Sequence, residues 1–166
     1  MLPPLAAVVD DQHLTAAEKF GTYFRTVSSL KAERIDFLLQ LMQVWYSDDN
    51  AIVREKLRRE QIGRIAPHIA AIIRQGIAEG TFSLADPDQM ARVVLALVLD
   101  VGDEAGQLWL ARQAGSIDYD TVRRRFDTYY VALERVLGVA PGTLQLLDEG
   151  TLRLWFEDVF NQRKEN

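Results

Sequence analysis

Ile72-Ile73-Arg74-Gln75-Gly76-Ile77-Ala78-Glu79-Gly80-Thr81-Phe82, followed by Asp86-Pro87-Asp88-Gln89-Met90-Ala91, reads as the stop of one helix and the start of the next. Gly80 can take the left-handed backbone that closes a helix. Asp86 can accept from free amides at a new helix start, and Pro87 suits the first helical position. Gln89, three residues after Asp86, has capping-box spacing. The segment from Pro87 to about Gln113 is then apolar almost all round, so both of its sides need cover. At 1.5 Å per residue it spans roughly 40 Å and reads as the longest uninterrupted helix of the chain.

Outward from that stretch the helical period continues, with no period-2 strand. Thr15-Ala16-Ala17-Glu18 is a capping box opening a helix with Phe20, Phe24, Val27 and Leu30 on one face. Ile35, Leu38, Leu41, Met42 and Trp45 make a second apolar face, and Asp48-Asp49-Asn50 should close that helix and cap the next. From Ala51 to Gln61 the chain is mostly charged, with Val53 and Leu57 expected inward. Pro67 removes an amide and crowds the preceding turn, which predicts a kink or break around Gly63–Pro67. Asp118 or Asp120 should cap a further helix that ends at Gly138. Asp148 should cap a short last one carrying Leu152, Trp155, Phe156, Val159 and Phe160, and residues 162–166 should fray. The expectation is an all-α bundle of six to seven helices in a single domain, residues 1–166.

The 166 residues are 48% apolar and 26% charged, an ordinary soluble balance. A net charge of −5 argues against binding nucleic acid through a basic surface. There is no cysteine, hence no disulfide, thiolate nucleophile or cysteine zinc site. Met1-Leu2-Pro3-Pro4 lacks the basic start and apolar run of a signal peptide, and Val93–Leu99 is far too short to span a membrane. A cytoplasmic, non-membrane protein is expected.

The run Ile73, Gly76, Gly80, Phe82, Asp86-Pro87 and Ala91 resembles the C-terminal regulatory domain of TetR-family transcription regulators. Leu99-Asp100-Val101-Gly102 and Leu133-Glu134-Arg135-Val136-Leu137-Gly138 agree with it in order and spacing, so that the likeness runs from about Thr15 to Gly138. The resemblance implies a helical sensor domain with a small-molecule cavity among its central helices. It also implies a homodimer through a four-helix interface of the last two long helices. Ligand binding would then control DNA binding by an N-terminal helix-turn-helix domain. That domain has no counterpart before Thr15, so DNA is expected as a partner only through it.

Face assignment supplies candidates. Phe20, Tyr23, Phe24, Phe37, Trp45, His68, Ile69, Ile73, Val94, Val98 and Asp100 are candidates for a pocket taking a small apolar or amphipathic ligand. Tyr23, His68 and Asp100 are its polar members. For each apolar one, plain core packing is the competing reading. Leu95, Leu99, Gly102, Gly106, Leu108, Trp109, Phe126, Tyr129, Tyr130 and Leu133 are candidates for the dimer interface, since together they would otherwise leave a large apolar surface. Gly102 and Gly106 each cost a helix interior about 1 kcal/mol relative to alanine. Close helix approach, room for a ligand and a kink without function are the three readings of that cost. Asp103 and Glu104 read as solvent-facing or paired with Arg92 or Arg112.

Catalysis finds no support. His13 and His68 are the only histidines, without metal-ligand spacing. Ser28, Ser29, Ser47, Ser83 and Ser116 lack a nucleophile-elbow context. There is no phosphate loop or dinucleotide fingerprint, so no cofactor and no metal are expected. The alternative to a sensor domain is a helical protein-interaction module, or a dominant-negative dimeriser without a small-molecule site. The mixed-charge run Arg54–Glu60 reads as a solvated helix face.

Overall fold

The computed structural model describes residues 3–144, 146 and 148–158, and the regular elements among them are all helical. Seven α-helices follow one another: α1 (Pro3–Asp10), α2 (Ala16–Ala32), α3 (Ile35–Trp45), α4 (Ala51–Ala78), α5 (Pro87–Gln113), α6 (Tyr119–Leu137) and α7 (Glu149–Arg153). A 3-10 turn, Asp48–Asn50, joins α3 to α4, and a π-helical turn, Leu154–Asp158, follows α7. The expected all-α bundle forms. Of the last apolar face, Leu152, Trp155 and Phe156 are placed there, whereas Val159, Phe160 and residues 162–166 lie outside the described residues.

The stop and start work as their residues dictate. Gly80 has φ +71°, and the amides of Thr81 and Phe82 both donate to the Gly76 carbonyl, at 2.9 and 3.0 Å. This folds the Phe82 ring back over Gly76, where a Cβ would stand 2.6 Å from the ring carbon Cγ. Gly76 is therefore the residue that lets Phe82 bury itself. Asp86 accepts from the Gln89 amide at 3.2 Å; only this half of a capping box forms. Asp86 itself sits at φ +51°, a backbone that costs a non-glycine residue on the order of 1 kcal/mol. The loop then meets the end of α6. The Ser83 amide donates to the Leu137 carbonyl at 3.0 Å, and the Ser83 carbonyl lies against Gly138, itself at φ +66°. Two stretches distant in sequence, at Ser83 and at Leu137-Gly138, thus form one junction.

Thr15 and Glu18 exchange both capping-box bonds at the start of α2, and Asp118 and Asp148 cap α6 and α7. Asn50 does not cap α4. Its side-chain amide turns back to the Val44 carbonyl at 2.8 Å, so the Asp48–Asn50 turn serves the end of α3 instead. The first helix was not expected. It is tied down by Lys19, buried on α2, whose ammonium donates to the Val9 carbonyl at 2.7 Å near the negative end of α1.

Helix α4 corrects three expectations. It runs unbroken through Pro67, and with 28 residues it exceeds α5 by one. Residue 63, whose carbonyl the proline ring crowds, is a glycine, and Ile62, Ala66, Ile69 and Ala70 around the proline are all buried. Packing on both sides holds the helix through the missing hydrogen bond. Before Ile62, in contrast, no residue of α4 is buried: Val53 and Leu57, expected inward, are exposed, together with Ile52.

The buried residues gather in two clusters. One joins Phe20, Ile69, Ile73, Phe82, Val94, Leu95, Leu133 and Leu137. The other joins Leu39, Leu108, Trp109, Val122, Phe126, Leu152 and Phe156. Each such side chain contributes about 1.5–3 kcal/mol by leaving water. Tyr130 packs against both clusters.

Candidate ligand cavity

Where the two clusters meet, the helices frame a half-open cavity of about 510 Å3. Helix α2 brings Phe24, Val27, Ser28 and Lys31 to its wall, and α3 brings Leu38, Leu41, Met42 and Trp45. Phe24 and Val27, and all four α3 residues, belong to the faces that the helical period assigned to the two elements. Helix α5 contributes Val98, Leu99, Val101, Gly102, Asp103, Ala105, Gly106 and Trp109. Phe126, Tyr130 and Leu133 of α6 and Leu146, Trp155 and Phe156 complete it. All three tryptophans of the chain, Trp45, Trp109 and Trp155, line it.

The polar groups are few. Tyr46, just beyond α3, lies across Gly106 and donates from its hydroxyl to Asp103 at 3.4 Å. Burial first, and then Asp103, push the Tyr46 hydroxyl up to about 12. The Arg54 guanidinium stacks 5.5 Å over the Tyr46 ring and donates to the carbonyls of Trp45 and Ser47, which fixes the α3–α4 corner. Beside the cavity is a smaller polar recess of about 210 Å3, lined by Arg54, Glu55 and Arg58 and sharing Trp45, Gln61, Leu99 and Asp103 with it. Lys31 keeps accessible surface at the wall. The protein around its ammonium still lowers its pKa by desolvation, against an opposing pull from Asp103. Burial also raises the Tyr130 hydroxyl. Trp109 Nε1 is buried with no hydrogen-bond acceptor among the described residues.

Of the residues singled out for a pocket, Phe24, Trp45 and Val98 stand on this wall. Phe20, Tyr23, Ile69, Ile73 and Val94 are buried in the first cluster, and the Tyr23 hydroxyl has no partner there among the described residues. Phe37 is 59% exposed on the outer side of α3. His68 is half-buried on α4, away from the wall. Asp100 is exposed and accepts from the Tyr129 hydroxyl of α6. Sequence reasoning missed Lys31, Tyr46, Gln61 and Asp103. Asp103 had been expected in solvent or paired with Arg92 or Arg112, yet it shares the stripe of Leu99, Gly106 and Trp109, and that spacing was the available signal. Glu104 pairs with Arg125 at 2.7 Å rather than with either arginine.

A family model described as "Tetracyclin repressor-like, C-terminal domain" matches residues 16–105. The chain belongs to that family. The match covers α2 to most of α5, hence the stop–start junction and much of the cavity wall. No curated protein and no solved structure matches the chain. Tetracyclin repressor-like C-terminal domains are regulatory ligand-binding domains, not an enzyme family. Among the described residues no helix is long and apolar enough to cross a membrane, and no three His, Asp or Glu side chains gather to hold a metal ion.

In this tetracyclin repressor-like domain the residues singled out for a dimer interface mostly face inward. Leu99, Gly102, Gly106, Trp109, Phe126, Tyr130 and Leu133 line the cavity, and Leu95 and Leu108 are buried in the two clusters. Tyr129 is half-buried against Asp100. The apolar stripes of α5 and α6 thus turn toward α2, α3 and the C-terminal turns within one copy. Their outer faces carry Val93, Asp100, Gln107, Arg124, Asp127, Thr128 and Val131.

Proposed function

We propose that this chain is the ligand-sensing, dimer-forming domain of a cytoplasmic TetR-like transcription regulator, controlling DNA binding by a helix-turn-helix domain. The observation that carries the reading is the cavity: about 510 Å3, mostly apolar, with a few polar groups, which is the make-up of a small-molecule site. A ligand preferring one arrangement of the helices shifts the population toward it, by no more than its differential affinity. Helix α4 is the element suited to respond. Gln61 reaches the cavity from its unburied first half, and the Gly63–Pro67 pair lies just behind. In the intact regulator, Pro67→Ala should alter the response to ligand, and an unchanged response would rule this hinge out.

The second copy docks on the outer faces of α5 and α6, around Val93 and Val131, which are 45% and 43% exposed. Native mass spectrometry of the purified chain tests the whole reading. Two chains per particle, with any retained ligand as extra mass, are expected. Val131→Asp, at an exposed position, should give monomers with unchanged helical circular dichroism. A wild-type chain that is monomeric at micromolar concentration would overturn the dimer.

A second reading, as a helical interaction module, is favoured by one feature. Phe37, Leu41, Val44, Ile52, Val53 and Leu57 are all exposed on α3 and the first half of α4. Failure of every small apolar probe to enter the cavity would move the weight to it.

A further inference from the structure

The polar groups of the cavity are unevenly matched. Asp103, the carboxylate on its wall, is already engaged: Tyr46 donates to it, and Arg58 in the adjoining recess attracts it. The Lys31 ammonium has no hydrogen bond and no ion pair among the described residues; Asp103 acts on it only at longer range. Trp109 Nε1, buried in a residue that lines the same wall, has no acceptor among the described residues. Both groups are donors only. The adjoining recess adds Arg54, which faces Tyr46, and Arg58, against Glu55, which Arg58 and Arg59 together neutralise. Among the described residues, Lys31 is therefore the charged group on the wall without a hydrogen bond, set in a largely hydrocarbon lining that also holds the neutral Ser28, Gln61 and Tyr130.

We infer that the ligand class is an apolar monocarboxylate, with its carboxylate on Lys31 and its hydrocarbon body against Trp109, Leu99 and Phe126. The inference rests on the cavity being the ligand site and adds the sign of the ligand's charge. A carboxylate supplies the acceptors and negative charge that the Lys31 ammonium can take, and charge-assisted bonds of this kind are the stronger ones. An ammonium ligand would instead compete with Tyr46 and Arg58 for Asp103 and stand close to Lys31. A ten-carbon chain fits the volume without filling it.

The three tryptophans make the test direct, because bromine quenches indole fluorescence on contact. ω-Bromodecanoate, ω-bromodecanol and ω-bromodecyltrimethylammonium share one body and differ in the head. Decanoate should quench at a concentration at least about tenfold lower than the alcohol, as a charge-assisted hydrogen bond gives. Lys31→Met, which keeps the apolar stem at a partly exposed position, should abolish that preference and leave the alcohol unchanged. Asp103→Asn should widen it. Equal quenching by all three would leave the cavity as a ligand site and sink the carboxylate. Preference for the ammonium, or a Lys31→Met variant that still prefers decanoate, would overturn it as well. No quenching by any of them would remove the cavity reading itself.

Discussion

Tyr46 occupies the space that a side chain on Gly106 would need: a Cβ there would stand 2.5 Å from the Tyr46 ring carbon Cζ. One turn earlier on the same helix, Gly102 has nothing within 4 Å of that position. Gly102→Ala should therefore stabilise the chain by roughly 0.5–1 kcal/mol through helix propensity alone. Gly106→Ala should lose that gain, displace Tyr46 and break its bond to Asp103. Urea unfolding of the two variants checks the difference, and equal midpoint shifts would mean that Tyr46 does not hold this glycine in place.

The Gly76–Phe82 contact makes a second pair. Gly76→Ala should cost about 1–3 kcal/mol by overpacking. With Phe82→Leu in the background the same change should cost clearly less, since contacting residues couple. A double-mutant cycle that came out additive would show the junction to be looser than its geometry.

The Tyr129 hydroxyl, held first by its hydrogen bond to Asp100 and then by desolvation, is pushed up to about 12. Asp100→Asn should bring its ionisation back toward the usual tyrosine value. Ultraviolet titration of the variant against wild type reads this as one tyrosine moving to lower pH while Tyr46 and Tyr119 stay high.

Acid should weaken the fold through its caps and one surface cluster. Hydrogen bonds from Thr15 hold Glu18 below the ordinary carboxylate range, and those from Thr121 and Thr151 do so for Asp118 and Asp148. Bonds from Arg58 and Arg59 take Glu55 to about 2. Folded values below unfolded ones mean stability that is present above the carboxylate range and lost as pH falls through it. For Glu55 the window runs from 4.5 down to about 2. The melting temperature should drop on acidification, less so in high salt because these groups are exposed. Glu55→Gln should make the drop shallower, and an unchanged slope would show that the cluster contributes nothing.

Local chemistry made the caps at Thr15, Asp118 and Asp148, the stop at Gly80, the start at Asp86 and much of the inner faces of α2 and α3 readable in advance. What it did not make readable depends on distant partners. Helix α1 needs Lys19 from α2, which no signal within Pro3–Asp10 announces. Helix α4 passes Pro67 because its neighbours are buried, a tertiary fact that overrides the local penalty. Trp109 was expected at a dimer surface because α5 is apolar almost all round, so its pattern does not fix its rotation. The cavity's polar members were missed for a related reason: Lys31 and Asp103 look like solvent-facing charges until the helices beside them are in place.

The uneven burial of α4 has a kinetic consequence. Its amides after Gly63 belong to the core and should exchange with solvent deuterium only when the whole chain unfolds. Those before Ile62 can open in a local excursion that leaves the core intact. One continuous helix should therefore keep two clocks, and the slow one starts just after Gly63.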